Sequence, residues 1–385
     1  MSKTSSEILD NPKEGGKKKK KVENNGGDSS LLIPQLDRDS SIHCLLRLSR
    51  SEYGLIAALN QSFWSLIEDG ELYQHRRKMG IIEHWVYFRC ETGRCDAVKW
   101  EAFDPNCGRL MQLPEMSSDI CFKHSDKESL AVGTELLVFG REITSLAIYK
   151  YSFLINSWSK GMKMNTPRCV FGSASLGEIA ISVGGCDQHG NILSSSELYN
   201  SDTGTWEILP DMNTARRMCS AVFMDGKFYV LGGVGVDNKT RLTCGEEFDL
   251  ETRMSHKIPK MCPPQNGEDG ANETPVSSAP PIIAVVNNVL FAADYAQKLV
   301  KRYVKDKNSW VTIGSLPDRV TSVNGWGIGF RSCGDKLVVI GVHSAHGRMK
   351  TEVNAWVVDE GAPKWNTLAI IQSGSFVHNC AVMGC

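Results

Sequence analysis

The spacing of apolar and polar positions changes character twice along the 385 residues. Residues 1–30 hold Ser, Lys, Asn and Gly with almost no large apolar groups. Such a stretch cannot bury enough surface to offset the entropy of ordering, so a disordered tail is expected. Over residues 31–80 apolar side chains recur three and four apart, which predicts short helices. Ile42, Leu45, Leu46 and Leu48 mark the first, with Asp39 or Ser40 as its cap. Ser51 and Glu52 open a second, with Tyr53, Ile56, Ala57 and Leu59 near one side. Phe63, Trp64, Leu66 and Ile67 mark a third, which Gly70 ends by turning left-handed, and a last helix at 71–79 stops at Gly80. A core of about 50 residues in short helices is too small to stand alone, so this module is expected to lean on a partner.

Beyond residue 80 the period becomes two. Residues 219–224 alternate as a strand, Asp225-Gly226 makes a tight turn, and Lys227–Leu231 forms a second strand ended by Gly232-Gly233. The preceding stretch follows the same order: 170–176, a turn at Gly177-Glu178, Ile179–Val183, then Gly184-Gly185. About every 50 residues a bulky apolar residue is followed seven positions later by Trp or a substitute. The pairs are Phe103/Leu110, Tyr151/Trp158, Tyr199/Trp206, Phe248/Ser255, Tyr303/Trp310 and Val358/Trp365, with successive starts 48, 48, 49, 55 and 55 residues apart. A strand-rich unit repeating about every 50 residues is the signature of a β-propeller, in which no blade buries its faces alone. Six endings predict six blades. The first repeat starts at His84–Cys90 without a leading strand, and residues 376–383 look like the missing piece. The C-terminal strand is therefore expected to complete the first blade and remove the exposed edges.

Two resemblances rest on these residues. Ile33-Pro34, Ile42-x-x-Leu45-Leu46-x-Leu48, Tyr53 and Phe63-Trp64-x-x-Ile67 resemble an F-box. That likeness implies docking on the Skp-type adaptor of an SCF ubiquitin ligase, and through it on cullin, with Ile33, Pro34, Ile42, Leu45, Leu46 and Leu48 forming the contact. The double glycine, Tyr, six residues and Trp resemble the kelch motif. The motif decays where Phe139-Gly140, Ala292-Ala293 and Ile340-Gly341 replace the glycines and Ser255 replaces Trp. Their order resembles the plant F-box/kelch-repeat family. Membership implies a mainly β fold: a disordered tail (1–30), a small helical F-box module (31–80) and a six-bladed kelch propeller (81–385). It also implies a substrate-recognition subunit holding a target protein for ubiquitination. The alternative is a kelch scaffold whose helices merely cap the propeller.

Composition narrows the chemistry. With 43 Lys and Arg against 44 Asp and Glu, no global field favours nucleic acid or a membrane surface. Thirteen scattered cysteines suit reduced thiols, and Cys90 with Cys95 is a single loose pair without a second pair to complete a zinc site. His343 and His346 are the only close histidines, and no Tyr joins them for copper. Gly232-Gly233-Val234-Gly235 lacks the Lys and Ser/Thr of a phosphate loop. No metal, cofactor or catalytic constellation is expected, and the protein is read as non-enzymatic. No apolar run nears the ~20 residues of a membrane span, and the first residues show no secretory leader. A nuclear or cytoplasmic protein is expected, with the five lysines at 17–21 either an import signal or a solubilising run.

Arg168, Arg216, Arg217 and Arg319 stand just before new blades. Converging at one level they would form a basic ring for an acidic target, a use that kelch relatives make of arginines in this connection. The competing reading is that each pairs with a local carboxylate and holds its own blade. His189, Asn191 and His343 are weaker loop candidates, and residues 263–281 are expected to form a long exposed loop.

Overall fold

The computed structural model describes residues 32–90, 99–124, 128–264, 278–345, 348–359, 361–372, 374 and 376–384. The tail with its lysine run, Cys95, His346 and most of the 263–281 loop lie outside those residues. The chain divides into two compact units, residues 1–45 and 46–385.

In the first unit, helix α1 spans Arg38–Leu45. Its cap is Asp37, whose carboxylate accepts the Ser40 backbone N–H at 2.8 Å and the Ser40 hydroxyl at 2.8 Å. Asp39 and Ser40, the expected caps, sit inside the helix, because Asp37 is the residue placed to reach the free N–H groups of the first turn.

The second unit holds helices α2 (Tyr53–Ala57), α3 (Gln61–Glu68) and α4 (Glu71–Lys78), followed by six four-stranded antiparallel sheets. Gly70 takes φ +74° between α3 and α4, as the sequence demands of a glycine there. Tyr53, Ile56, Phe63 and Leu66 are buried, whereas Leu59 is exposed rather than on their side. From the inside out, blade 3 is Gly172–Leu176, Ile179–Val183, Ser196–Asn200 and Thr205–Leu209, and blade 4 is Ser220–Met224, Lys227–Leu231, Gly245–Asp249 and Met254–Ile258. The other inner strands are Glu128–Val132, Ile283–Val286 and Gly329–Cys333 in blades 2, 5 and 6. In blade 1 the inner strand is Val377–Gly384, paired antiparallel with His84–Cys90. Closure of the first blade by the C-terminal strand is thus observed, and among the described residues the ring has no open seam.

The aromatic repeat has a physical role in this ring. Tyr199 and Trp206 are cross-strand partners with ring centroids 4.9 Å apart, and Tyr151/Trp158 and Tyr303/Trp310 repeat the arrangement at 5.3 Å. Each Trp indole N–H then reaches back to a main-chain carbonyl beside the preceding blade: Trp158 to Pro114, Trp206 to Met162, Trp310 to Met261 and Trp365 to Ser315, at 2.8–3.0 Å. The repeat therefore stitches neighbouring blades together while covering apolar surface. In blade 6 the partner of Trp365 is Trp356, not Val358, since the turn between those strands is longer. The glycine pair follows directly on the five-residue second strand, sixth and seventh counted from its start, at Gly184-Gly185 and Gly232-Gly233. Counted the same way, the decayed slots are Gly140-Arg141, Asp294-Tyr295 and Gly341-Val342, later than the sequence suggested by one residue in blades 2 and 6 and by two in blade 5.

Candidate functional site

The ring has two unlike faces. One carries the tight turns, such as Gly177-Glu178, and the other carries the longer connections within and between blades. Residues 46–80 rest on the tight-turn face. Ser49 caps the turn Arg50–Glu52 and forms a capping box with Glu52. Arg50 is buried, its guanidinium 3.7 Å from the Phe153 ring centroid and 4.7 Å from that of Trp85, and it donates to the Glu83 carbonyl (3.0 Å) and the Tyr87 hydroxyl (3.2 Å). Arg76 donates to the Leu48 carbonyl at 2.9 Å and to the Glu83 carboxylate at 2.9 Å. Glu83 also accepts the Ser49 hydroxyl, the Arg50 backbone N–H and the Trp85 indole N–H. Burial pushes its pKa up, but those donors and the Arg76 charge outweigh it, and the net direction is down. Arg77 pairs with Glu178 on a blade 3 turn. The module's dependence on a partner is met, for residues 46–80, by the propeller itself.

Away from that joint, Leu55, Leu59 and Trp64 are 66%, 70% and 44% exposed. They are large apolar side chains left at the surface of α2, α3 and the turn between them. Of the six residues expected at the adaptor contact, Ile42, Leu45 and Leu46 are buried, Ile33 and Leu48 are half-buried, and only Pro34 is exposed.

Arg168 and Arg216 do occupy equivalent blade positions, yet both are buried. Arg168 donates to the Gly184 and Ser195 carbonyls and pairs with Glu197 at 2.9 Å, and Glu197 caps the backbone N–H groups of Asn165 and Thr166 at 2.8 Å. Arg216 repeats this with the Gly232 and Cys244 carbonyls, Glu246 and the Asn213 N–H. Burial pulls the Arg168 pKa down from its ordinary value, and Glu197 opposes that. These are clamps that fix the double-glycine carbonyls, so the local-pairing alternative holds for both. Blade 5 has the reverse polarity: Lys301 stands where Glu197 stands in blade 3 and pairs at 2.8 Å with Asp294, in the first glycine slot. Arg217 is half-buried against the Cys186 thiol. Arg319 is exposed on its loop, one residue short of Val320, which holds the clamp level in blade 6 and is buried. The four arginines do not converge.

A central channel of about 1200 Å³ runs through the ring, lined by the six inner strands, with Gln74, Arg77 and Lys78 of α4 at its tight-turn end. The long-connection face carries the other end. There the turn Val323-Asn324-Gly325-Trp326 is closed by reciprocal backbone hydrogen bonds of 3.0 and 2.9 Å between Val323 and Trp326, with Asn324 and Gly325 at φ +50° and +86°. It displays Val323 (66% exposed) and Trp326 (40%) beside the channel. An exposed aromatic on a rigid turn is a strong contact element. Sequence reading missed it because these residues lie in a connection outside the repeat, though Asn-Gly between apolar residues is the available signal. His189 and Asn191 serve an Asp187-centred turn. His343 Nδ1 lies 3.4 Å from the Glu352 carboxylate. Among the described residues, no cluster of three or more His, Cys, Asp or Glu side chains is placed to hold a metal.

The Kelch motif model matches residues 167–213 and 215–261, the blades with intact glycine pairs and Arg–Glu clamps. The chain is also similar to F-box/kelch-repeat proteins of Arabidopsis thaliana. One is 52% identical over 360 residues, 93% of this chain and 84% of the relative. Another is 53% identical over 361 residues, 92% of this chain and 79% of the relative. A third, F-box/kelch-repeat protein SKIP11, is 54% identical over 359 residues, 93% of this chain and 76% of the relative.

Proposed function

Since the chain belongs to the family of F-box/kelch-repeat proteins, we propose that it is the substrate-recognition subunit of an SCF-type ubiquitin ligase. The helical segment binds a Skp-type adaptor, and through it cullin, while the propeller holds a target protein. The observation that carries this reading is the exposed apolar set Leu55, Leu59 and Trp64. Large apolar groups at a helical surface are contact residues, and a rigid neighbour behind them limits the entropy lost on docking. Target capture falls to the long-connection face, because the helices occupy the opposite one. The chain itself makes and breaks no bond. Its contribution is proximity, the high local concentration of a held target beside a charged enzyme. The setting is nucleus or cytoplasm, with the lysines at 17–21 as the candidate import signal.

A second reading, a kelch scaffold with helices as a cap, draws on the Arg50–Glu83–Arg76 joint and on α4 at the channel. Co-expression with a Skp-type adaptor separates the two. Deleting residues 31–80 would strip the propeller of packed surface, so the sharper perturbation is Leu55→Glu with Leu59→Glu, both at exposed positions. Adaptor co-purification with the unmodified chain, lost in this variant at unchanged thermal midpoint, supports the ligase subunit. A folded chain that never retains the adaptor leaves the scaffold.

A further inference from the structure

We propose that the central channel is an anion-binding site centred on Arg331, taking a carboxylate or phosphate group borne on an apolar or planar frame. Arg331 is the third of five residues in the inner strand Gly329–Cys333, which places it midway down the channel wall. At the same level on four other inner strands stand Leu130, Ala174, Val222 and Ala284, all apolar. The Arg331 side chain is exposed to the channel. Two main-chain carbonyls fix its guanidinium: Nε donates to Cys380 at 2.9 Å and Nη1 to Phe330 at 3.0 Å. The far edge, Nη2, has no acceptor and no carboxylate partner among the described residues.

Thiols aside, the remaining ionisable wall groups lie towards the ends. Glu128 and His378 are at the long-connection end, where Glu128 accepts the Val170 backbone N–H. Arg77, Lys78, His84, Glu178 and Asp202 are at the helix end, with Arg77 and Glu178 neutralising each other. A guanidinium fixed midway down a channel, with apolar side chains at its own level on four other blades, attracts an anion, since no carboxylate at that level competes for it and little freedom remains to be lost. Its free edge suits an oxyanion. Entry is from the long-connection end, past Trp326, whose exposed ring offers a flat surface to the rest of the ligand.

The anionic group could belong to a free small molecule or to an acidic side chain on a target loop. Only the second source rests on the target capture proposed above, and adaptor binding, assayed separately, keeps a failure of that reading distinct. The test is calorimetric titration of the full chain at low ionic strength with pyrophosphate and with glutarate. A parallel arm uses a capped hexapeptide carrying Glu among apolar residues, beside its Gln counterpart. Saturable binding of a free anion identifies a small-molecule site, and binding of the Glu peptide alone identifies a target-loop site. In either case Arg331→Met should weaken binding about tenfold or more, while Arg253→Met, at the exposed outer turn of blade 4, leaves it unchanged. No binding by any probe, or binding untouched by Arg331→Met, overturns the proposal. Where Arg331→Met does not fold, phenylglyoxal labelling of the unmodified chain substitutes, read by mass spectrometry. The bound probe should protect Arg331, and equal labelling with and without it overturns the proposal.

Discussion

Replacing Arg50 by Met should loosen the helices of residues 46–80 from the propeller while the ring stays folded. Arg50 donates to the Glu83 carbonyl and the Tyr87 hydroxyl and lies over Phe153 and Trp85. Each hydrogen bond from a charged group is worth about 1.5–3 kcal/mol, and a desolvated cation over a ring adds about 2 kcal/mol. These terms share one side chain and overlap, and Met keeps part of the apolar contact, so about 3–5 kcal/mol is the expected net loss. At about 1.4 kcal/mol per tenfold, local opening of α2–α4 becomes about 100-fold or more easier. Hydrogen exchange read by mass spectrometry checks this directly: peptides covering α2–α4 should exchange faster by that factor, and those from blades 3 and 4 should not. Arg50→Lys keeps the charge but not the planar stack, so it should fall between. Unchanged exchange in the helices, or an equal rise in every blade, would refute the idea that this joint holds the module.

Acidification should attack the same joint. The folded pKa of Glu83 lies below its unfolded value of 4.5, so its contribution is complete above about pH 4.5 and is lost as pH falls through the lower folded pKa. Glu83→Gln should flatten the acid limb of stability against pH, measured by thermal midpoints, and an unchanged limb would count against it. Arg216→Met leaves Glu246 buried without its partner, a change that costs about 3–5 kcal/mol. Urea unfolding should show it, while binding of any target stays proportional to the folded fraction. A target affinity lost at full stability would restore Arg216 as a contact residue. Gly185→Ala places a Cβ 2.5 Å from the Cys169 carbonyl at φ +85°, so a loss of about 2–4 kcal/mol is expected from strain and clash. A midpoint within error of the parent would show that the turn relaxes.

The architecture was legible in the sequence because its signals are local and repeated. Strand period, the Asp225-Gly226 turn and the Tyr199/Trp206 spacing all report contacts within one hairpin, and the missing leading strand before His84 follows from counting. The repeat also gave the position of Arg168 and Arg216, but not the direction of their side chains. An arginine preceding an inner strand can point outward to a ligand or inward to the carbonyls of a glycine pair, and spacing is identical in both cases. The buried partners Glu197 and Glu246, 29 and 30 residues away, decide it. They recur at matching offsets, so the pairing was available in the sequence as a second periodicity laid over the first. Lys301 with Asp294 supports this, because the charge reversal makes sense only as a substitute for the same clamp. Arg331 is the opposite case. It is the one charged residue at a level where four other blades carry apolar side chains, and a repeat search discards such a residue as noise. In a ring of near-equal blades the clamps maintain the scaffold by being repeated. A recognition site has to break that symmetry, and the departures from the repeat at Trp326 and Arg331 lie together on the channel.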